Sequence, residues 1–170
     1  MTESVTHPEP ESVTPESVFE AAIRGAAERM LRDAGVVYAV VPKFGLDLGI
    51  FLQDSSGPRA RFVEAKVFAA ARPGGVGFGN QQGRGPQVDL LLCSEPELLI
   101  LDSSVRWVLA DATLPVGTAR YAVFTCRTAK QAAMGGVRKG KQNNFRVSAF
   151  ASGLLTWSQA LSELRAFLLE

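Results

Sequence analysis

Apolar residues recur at helical spacing from Val18 and Phe19 through Ala22, Ile23, Ala26 and Met30 to Leu31, and Gly35 stops the run. Thr14 offers an N-cap and Pro15 stands at the first helical position, so a helix is predicted from Pro15 to the glycine. The period then changes. Val36–Val41 is a β-branched and aromatic run, Leu46–Leu52 alternates, and Arg61–Ala69 is a third extended run beyond the turn Asp54-Ser-Ser-Gly-Pro. These three predict a meander. Glycines at 74, 75, 77, 79, 83 and 85 are too dense for a strand or helix and predict a loop, mobile or wrapped closely around something, before Pro86 opens a short helix over Gln87–Cys93. Glu97–Leu101, Val105–Leu109 and Tyr121–Arg127 read as further strands, with a helix over Val105–Ala112 as the alternative for the second. A polar, basic connection through Gly135, Gly136, Asn143 and Asn144 leads to Thr156. This residue caps a last helix with Trp157, Ala160, Leu161, Leu164, Phe167 and Leu168 on one face.

At 170 residues, 46% hydrophobic and 21% charged, the chain has room for one globular α/β domain that folds and stays in solution. Its longest apolar runs fall short of the roughly 18 residues of a membrane span. Residues 1–13, rich in Glu, Pro, Ser and Thr with the echo Glu3-Ser-Val-Thr and Glu11-Ser-Val-Thr, read as a disordered acidic tail ahead of a domain over 14–170. The start lacks the basic and apolar segments of a secretory signal, which leaves the cytoplasm as the expected compartment. Cys93 and Cys126 sit in apolar segments and read as core thiols, with no zinc motif.

Charge alters the picture more than composition does. The net charge is +1, yet residues 1–20 hold five acids and no Lys or Arg, so the remainder carries 18 basic against 12 acidic residues, or +6. Between Asp111 and Glu163 no acid occurs, while Arg120, Arg127, Lys130, Arg138, Lys139, Lys141 and Arg146 do. Such a stretch suits a polyanion or forms a solvated basic surface.

Alternation puts Asp47 opposite the face of Leu46, Leu48, Ile50 and Leu52, beside Gly49 and Phe51. In the third run Val63, Ala65 and Val67 share one face, which sets Glu64 and Lys66 together on the other. Phe62 and Phe68 on that side argue for partial burial rather than an exposed ion pair. Two carboxylates on adjacent strands make a Mg²⁺ site, with Mn²⁺ as a substitute, and the neighbouring Lys66 suits an attacking water or a phosphate. The chemistry implied is metal-assisted phosphodiester hydrolysis. Rival chemistries lack their parts: His7, in the tail, is the only histidine, and no Gly-Lys-Ser/Thr follows the glycines.

Asp47 on one strand and Glu64-Ala65-Lys66 on the next resemble the signature of the PD-(D/E)xK nuclease superfamily. The similarity spans roughly residues 15–93 and implies a restriction-endonuclease-like fold, a mixed sheet flanked by helices in a single domain. It implies Asp47, Glu64 and Lys66 as catalytic residues, and Asp47 and Glu64 as metal ligands. Glu20 is implied as a further ligand from the preceding helix, although alone it reads equally as a solvated helix residue. Gly83-Arg-Gly-Pro-Gln87 resembles a Gly- and Gln-containing segment of some members, and Leu91 replaces the tyrosine of the exonuclease-like pattern. Taken alone, Gln87 and Asp89 read as capping or surface groups, and Lys43 as a phosphate contact or solvent-facing group. Lys43, Gln87, Arg138, Lys139 and Lys141 make up the expected nucleic-acid contacts.

The expected function is therefore a Mg²⁺-dependent DNA endonuclease, restriction-type first and a structure-selective repair or junction nuclease second. A non-catalytic nucleic-acid-binding module is the rival from another class. Double-strand cleavage calls for a homodimer, for which Trp107, Trp157, Phe167 and Leu168 supply apolar surface unless they complete the monomer core.

Overall fold

The structure, a computed structural model, describes residues 7–13, 15–69 and 75–170. Helix α1 (Glu16–Asp33) buries Phe19, Ile23, Ala26, Ala27, Met30 and Leu31, as its spacing requires, whereas Val18 faces solvent. Thr14, the expected cap, lies outside the described residues, as does Gly74. Strands β1 (Val37–Pro42), β2 (Leu48–Asp54) and β3 (Gly57–Phe68) form the antiparallel meander. β3 begins earlier than the apolar run because Gly57, at φ 101°, closes a tight hairpin and Pro58 already pairs with Gln53.

Four expectations are corrected beyond the meander. The glycine-rich segment holds a short strand, β4 (Val76–Phe78), before α2 (Pro86–Leu91). Glu97–Leu101 is not a strand but part of α3 (Glu95–Leu101), whose capping box joins Ser94 to Glu97. Strand β5 (Val105–Asp111) settles the helix-or-strand ambiguity, while β6 (Tyr121–Phe124) stops early because Thr125 caps α4 (Cys126–Ala132). The polar connection contains β7 (Asn143–Phe145), which pairs with β4, and the final helix α5 (Trp157–Leu169) begins at the Thr156 cap.

The main sheet runs β1-β2-β3-β5-β6, with β3 and β5 parallel and the other pairs antiparallel. This makes a single α/β domain with a mixed five-stranded sheet. One face packs Ile50, Val63 and Ala65 against α1 and α5; the other packs Trp107 and Leu109 against α2, α3, α4 and the β4–β7 ribbon. Trp107, Trp157, Phe167 and Leu168 are all buried in these cores, so they offer no spare surface for a dimer.

Residues 7–13, expected within a disordered tail, are held against the domain. Val13 is buried, the His7 carbonyl accepts from Trp157 Nε1, and Glu9 accepts from the Gly117 amide and the Tyr121 hydroxyl. Among the described residues no helix is long and apolar enough to cross a membrane.

Candidate active site

The turn between β1 and β2 is tight because Lys43 and Gly45 both take positive φ, 58° and 77°, and the Lys43 amide donates to the Asp47 carbonyl at 2.7 Å. That turn aims Asp47, one residue before β2, at β3. Asp47 Oδ2 accepts from the Ala65 amide at 2.8 Å, and the Asp47 amide donates to Glu64 Oε2 at 3.2 Å. The two carboxylates are thus cross-strand neighbours, each fixed by the other strand's backbone.

Glu64 is fully buried. Its Oε1 accepts from Gln87 Nε2 at 2.9 Å and lies 3.1 Å from Lys66 Nζ. Burial pushes its carboxyl pKa up, Lys66 pulls it down, and the charge of Asp47 raises it again, leaving it above its ordinary value. Lys66 also meets Glu16 at 2.9 Å. Burial alone would lower the Lys66 pKa, but the carboxylates of Glu64 and Glu16 outweigh it and hold the ammonium well above its ordinary range. Lys66 therefore acts as a fixed positive charge and donor, not as a proton acceptor.

Helix α1 contributes two acids one turn apart. Glu20 meets Lys43 Nζ at 2.5 Å, and the same ammonium lies 3.0 Å from Asp47 Oδ1. Oxygen atoms of Glu16, Glu20 and Asp47 all lie within 4.8 Å of one another. Four carboxylates (Glu16, Glu20, Asp47, Glu64) thus face two ammonium groups. In their ionised forms they leave two negative charges, and hard oxygen donors with that residual charge suit Mg²⁺ or Mn²⁺. Glu16 is a member that sequence reasoning missed, although its place four residues before Glu20 put both on one helix face.

The expected nucleic-acid contacts separate into two groups. Lys43 and Gln87 belong to the carboxylate cluster. Arg138, Lys139 and Lys141 are exposed on the connection between α4 and β7, Lys139 lying 3.4 Å from Asp89. This connection passes close to the segment before α2: Gly83, at φ 65°, lies so near Lys141 that a Cβ there would collide with its carbonyl. Three residues of the acid-free stretch are engaged within the protein, Arg127 while still exposed. Arg120 is buried against Glu9, Arg127 pairs with Asp102 at 2.6 Å, and Lys130 donates to the Cys93 carbonyl at 2.7 Å.

Compared with protein-family models, with curated proteins and with solved structures, the chain matches none. The site's own geometry therefore carries the functional argument.

Proposed function

We propose that this domain is a metal-dependent nuclease of the restriction-endonuclease-like kind, acting on DNA. The observation that carries the reading is the joining of Asp47 to Glu64 across β2 and β3, with Lys66 beside Glu64 and α1 delivering Glu16 and Glu20. Support also comes from the placement of these residues, Asp47 just before β2, Glu64 and Lys66 on β3 and Glu20 on the preceding helix, as the resemblance implies.

Asp47, Glu20 and Glu64 would hold Mg²⁺, with Glu16 beside Glu20 and Asp47; such an ion would supply Lewis acidity toward a phosphate oxygen and lower the pKa of bound water. Lys66, kept charged by its two carboxylates, neutralises phosphate charge or orients the water. Gln87 fixes the orientation of Glu64. Arg138, Lys139 and Lys141 hold the phosphate backbone without reading bases.

Restriction-type cleavage of both strands would take two copies of the site. Because the side chains considered for a dimer are internal, the proposal is strand-by-strand cleavage by one copy, which favours the structure-selective alternative. Supercoiled, linear, single-stranded and branched DNA incubated with Mg²⁺ or chelator test the reading. Metal-dependent cleavage that disappears in Asp47→Asn is expected. Accumulated nicked circles support the single-copy form, direct conversion to linear plasmid restores the dimer, and binding without any cleavage leaves the non-catalytic module.

A further inference from the structure

The sheet face that holds Asp47 and Glu64 continues along the meander, where Phe51, Ala60 and Phe62 are half-buried. Register pairs Gly49 with Phe62 and Phe51 with Ala60, and each pair lies on the same side as Asp47 and Glu64, since all are separated by even steps. Gly49 and Phe62 stand one pair step from the carboxylates, about 6.8 Å along the strands. β1 adds Val41 and Ala39 opposite Gly49 and Phe51, both exposed. None of these positions carries a charge of either sign.

Onto this strip the β1–β2 turn lays Phe44, which is 51% exposed. A Cβ at Gly49 would lie 2.9 Å from Phe44 Cβ, so the glycine is what lets the ring approach the sheet. Phe51 meets Phe44 edge-on at 5.2 Å, and Phe62 lies nearly parallel to it at 6.4 Å with a 16° tilt. The ring is therefore braced, half open to solvent, and next in sequence to Lys43 of the carboxylate cluster.

We propose that Phe44, backed by Phe51 and Phe62, is a stacking platform for an unpaired base, so that the site takes single-stranded or frayed DNA. The inference rests on the nuclease reading for its phosphate position. A nucleotide whose phosphate sits at Asp47 and Glu64 carries its neighbouring base over this strip. A base paired in duplex has its faces closed by its neighbours in the stack, whereas an unpaired base presents a face to the ring. An open sheet face bearing aromatic rings is a common ground for single strands. The absence of carboxylates along the strip leaves nothing on it to repel the backbone.

The test is anisotropy with labelled oligothymidylate and with a blunt hairpin duplex, in chelator so that nothing is cut, on wild-type protein, Phe44→Ala and Phe44→Trp. Wild-type protein should prefer oligothymidylate. Phe44→Ala should weaken oligothymidylate by about tenfold and leave the duplex unchanged. Phe44→Trp should retain binding and lose indole fluorescence on adding oligothymidylate, a readable signal because Trp107 and Trp157 are buried. Equal affinity of wild type and Phe44→Ala for oligothymidylate would overturn the proposal. So would light scattering in which Phe44→Ala merely converts a dimer to monomer, which would make the strip a contact between copies. Stacking without Mg²⁺-dependent cleavage removes the nuclease reading alone, and cleavage indifferent to Phe44→Ala removes the platform alone.

Discussion

The ammonium of Lys43 lies 2.5 Å from a carboxylate oxygen of Glu20, joining the β1–β2 turn to helix α1. With Asp47 Oδ1 at 3.0 Å, the same group is a tethered cation among acids that would otherwise repel one another. The hydrogen bond it donates to Glu20 raises the Lys43 pKa, with Asp47 adding to the rise against the cost of burial. Since Lys43 is two-thirds exposed, water screens these pairs and they hold under about 1 kcal/mol.

Lys43→Met should therefore lower the melting temperature by no more than a few degrees without metal. It should also enlarge the rise on adding Mg²⁺, because the ion no longer displaces an internal cation. Thermal melts of both proteins across a Mg²⁺ titration measure the difference. An identical rise in the two would mean that the lysine and the ion do not compete.

Asp47 has a structural duty as well as a proposed catalytic one. Its Oδ2 satisfies the amide of Ala65, a buried residue. Asp47→Ala should leave that donor orphaned at a cost of about 1–3 kcal/mol, seen as a melting point several degrees lower. Asp47→Asn keeps an oxygen there and should melt close to wild type. Equal melting of the two variants would show that the Ala65 hydrogen bond contributes nothing.

Asp47, Glu64 and Lys66 were legible because the period of a strand is two and the hairpin leaves one register that buries both apolar faces. Glu20 came from the resemblance alone, and helical spacing put Glu16 on the same face one turn earlier. Helix α3 was legible in principle, since Ser94-x-x-Glu97 is a capping box, but its apolar run Leu98–Leu101 resembles a strand when read alone. The β4–β7 ribbon was not legible. Its strands are three residues each, and what fixes them is distant: Phe78 stacks on Phe145 at 4.3 Å. Arg120 looked like surface charge because its partner, Glu9, lies more than a hundred residues away in sequence.

That pair gives a test of residues 7–13. Arg120, with its side chain 3% exposed, meets Glu9 at 3.2 Å and donates to the carbonyls of Leu114 and Pro10. Glu9→Gln removes the counter-charge of a buried guanidinium. With Glu9 itself partly exposed, the cost is on the order of 2–3 kcal/mol, below that of a fully buried pair. Glu11→Gln, on an exposed neighbour, should leave the melting point unchanged. Equal melting of the two variants would return this segment to the status of a tail.

Burial pushes the Cys126 thiol up to about 11, from an ordinary value of 9.0. The folded state then holds a proton that the unfolded chain releases between those values. Stability is intact below pH 9 and falls as pH rises through 11, by about 2–3 kcal/mol from this group. Urea melts from pH 8 to 11 should show the decline, and Cys126→Ala should lessen it most below pH 10, above which Tyr121, also raised by burial, adds its own loss. At pH 8 a thiol reagent should modify half-buried Cys93 and spare Cys126 until the protein unfolds.

Asn143 makes the basic connection testable without unfolding it. Its side chain accepts from the Arg138 amide at 2.8 Å and donates to the carbonyls of Arg138 and Lys141 at 2.8 and 3.2 Å. All three bonds are to backbone, so the loop keeps its shape when Arg138, Lys139 and Lys141 are replaced together by Ala. The triple variant should melt like wild type, the exposed Lys139–Asp89 pair counting for little. Binding to every oligonucleotide sequence should weaken alike, and the slope of log affinity against log salt should fall by roughly 0.7 for each single-strand phosphate deprived of its cation. Asn143→Ala should loosen the loop and weaken binding while leaving the charge untouched. An unchanged salt slope in the triple variant would mean that these three cations face away from the strand, and that the nucleic acid reaches Asp47 and Glu64 from the side of Phe44 alone.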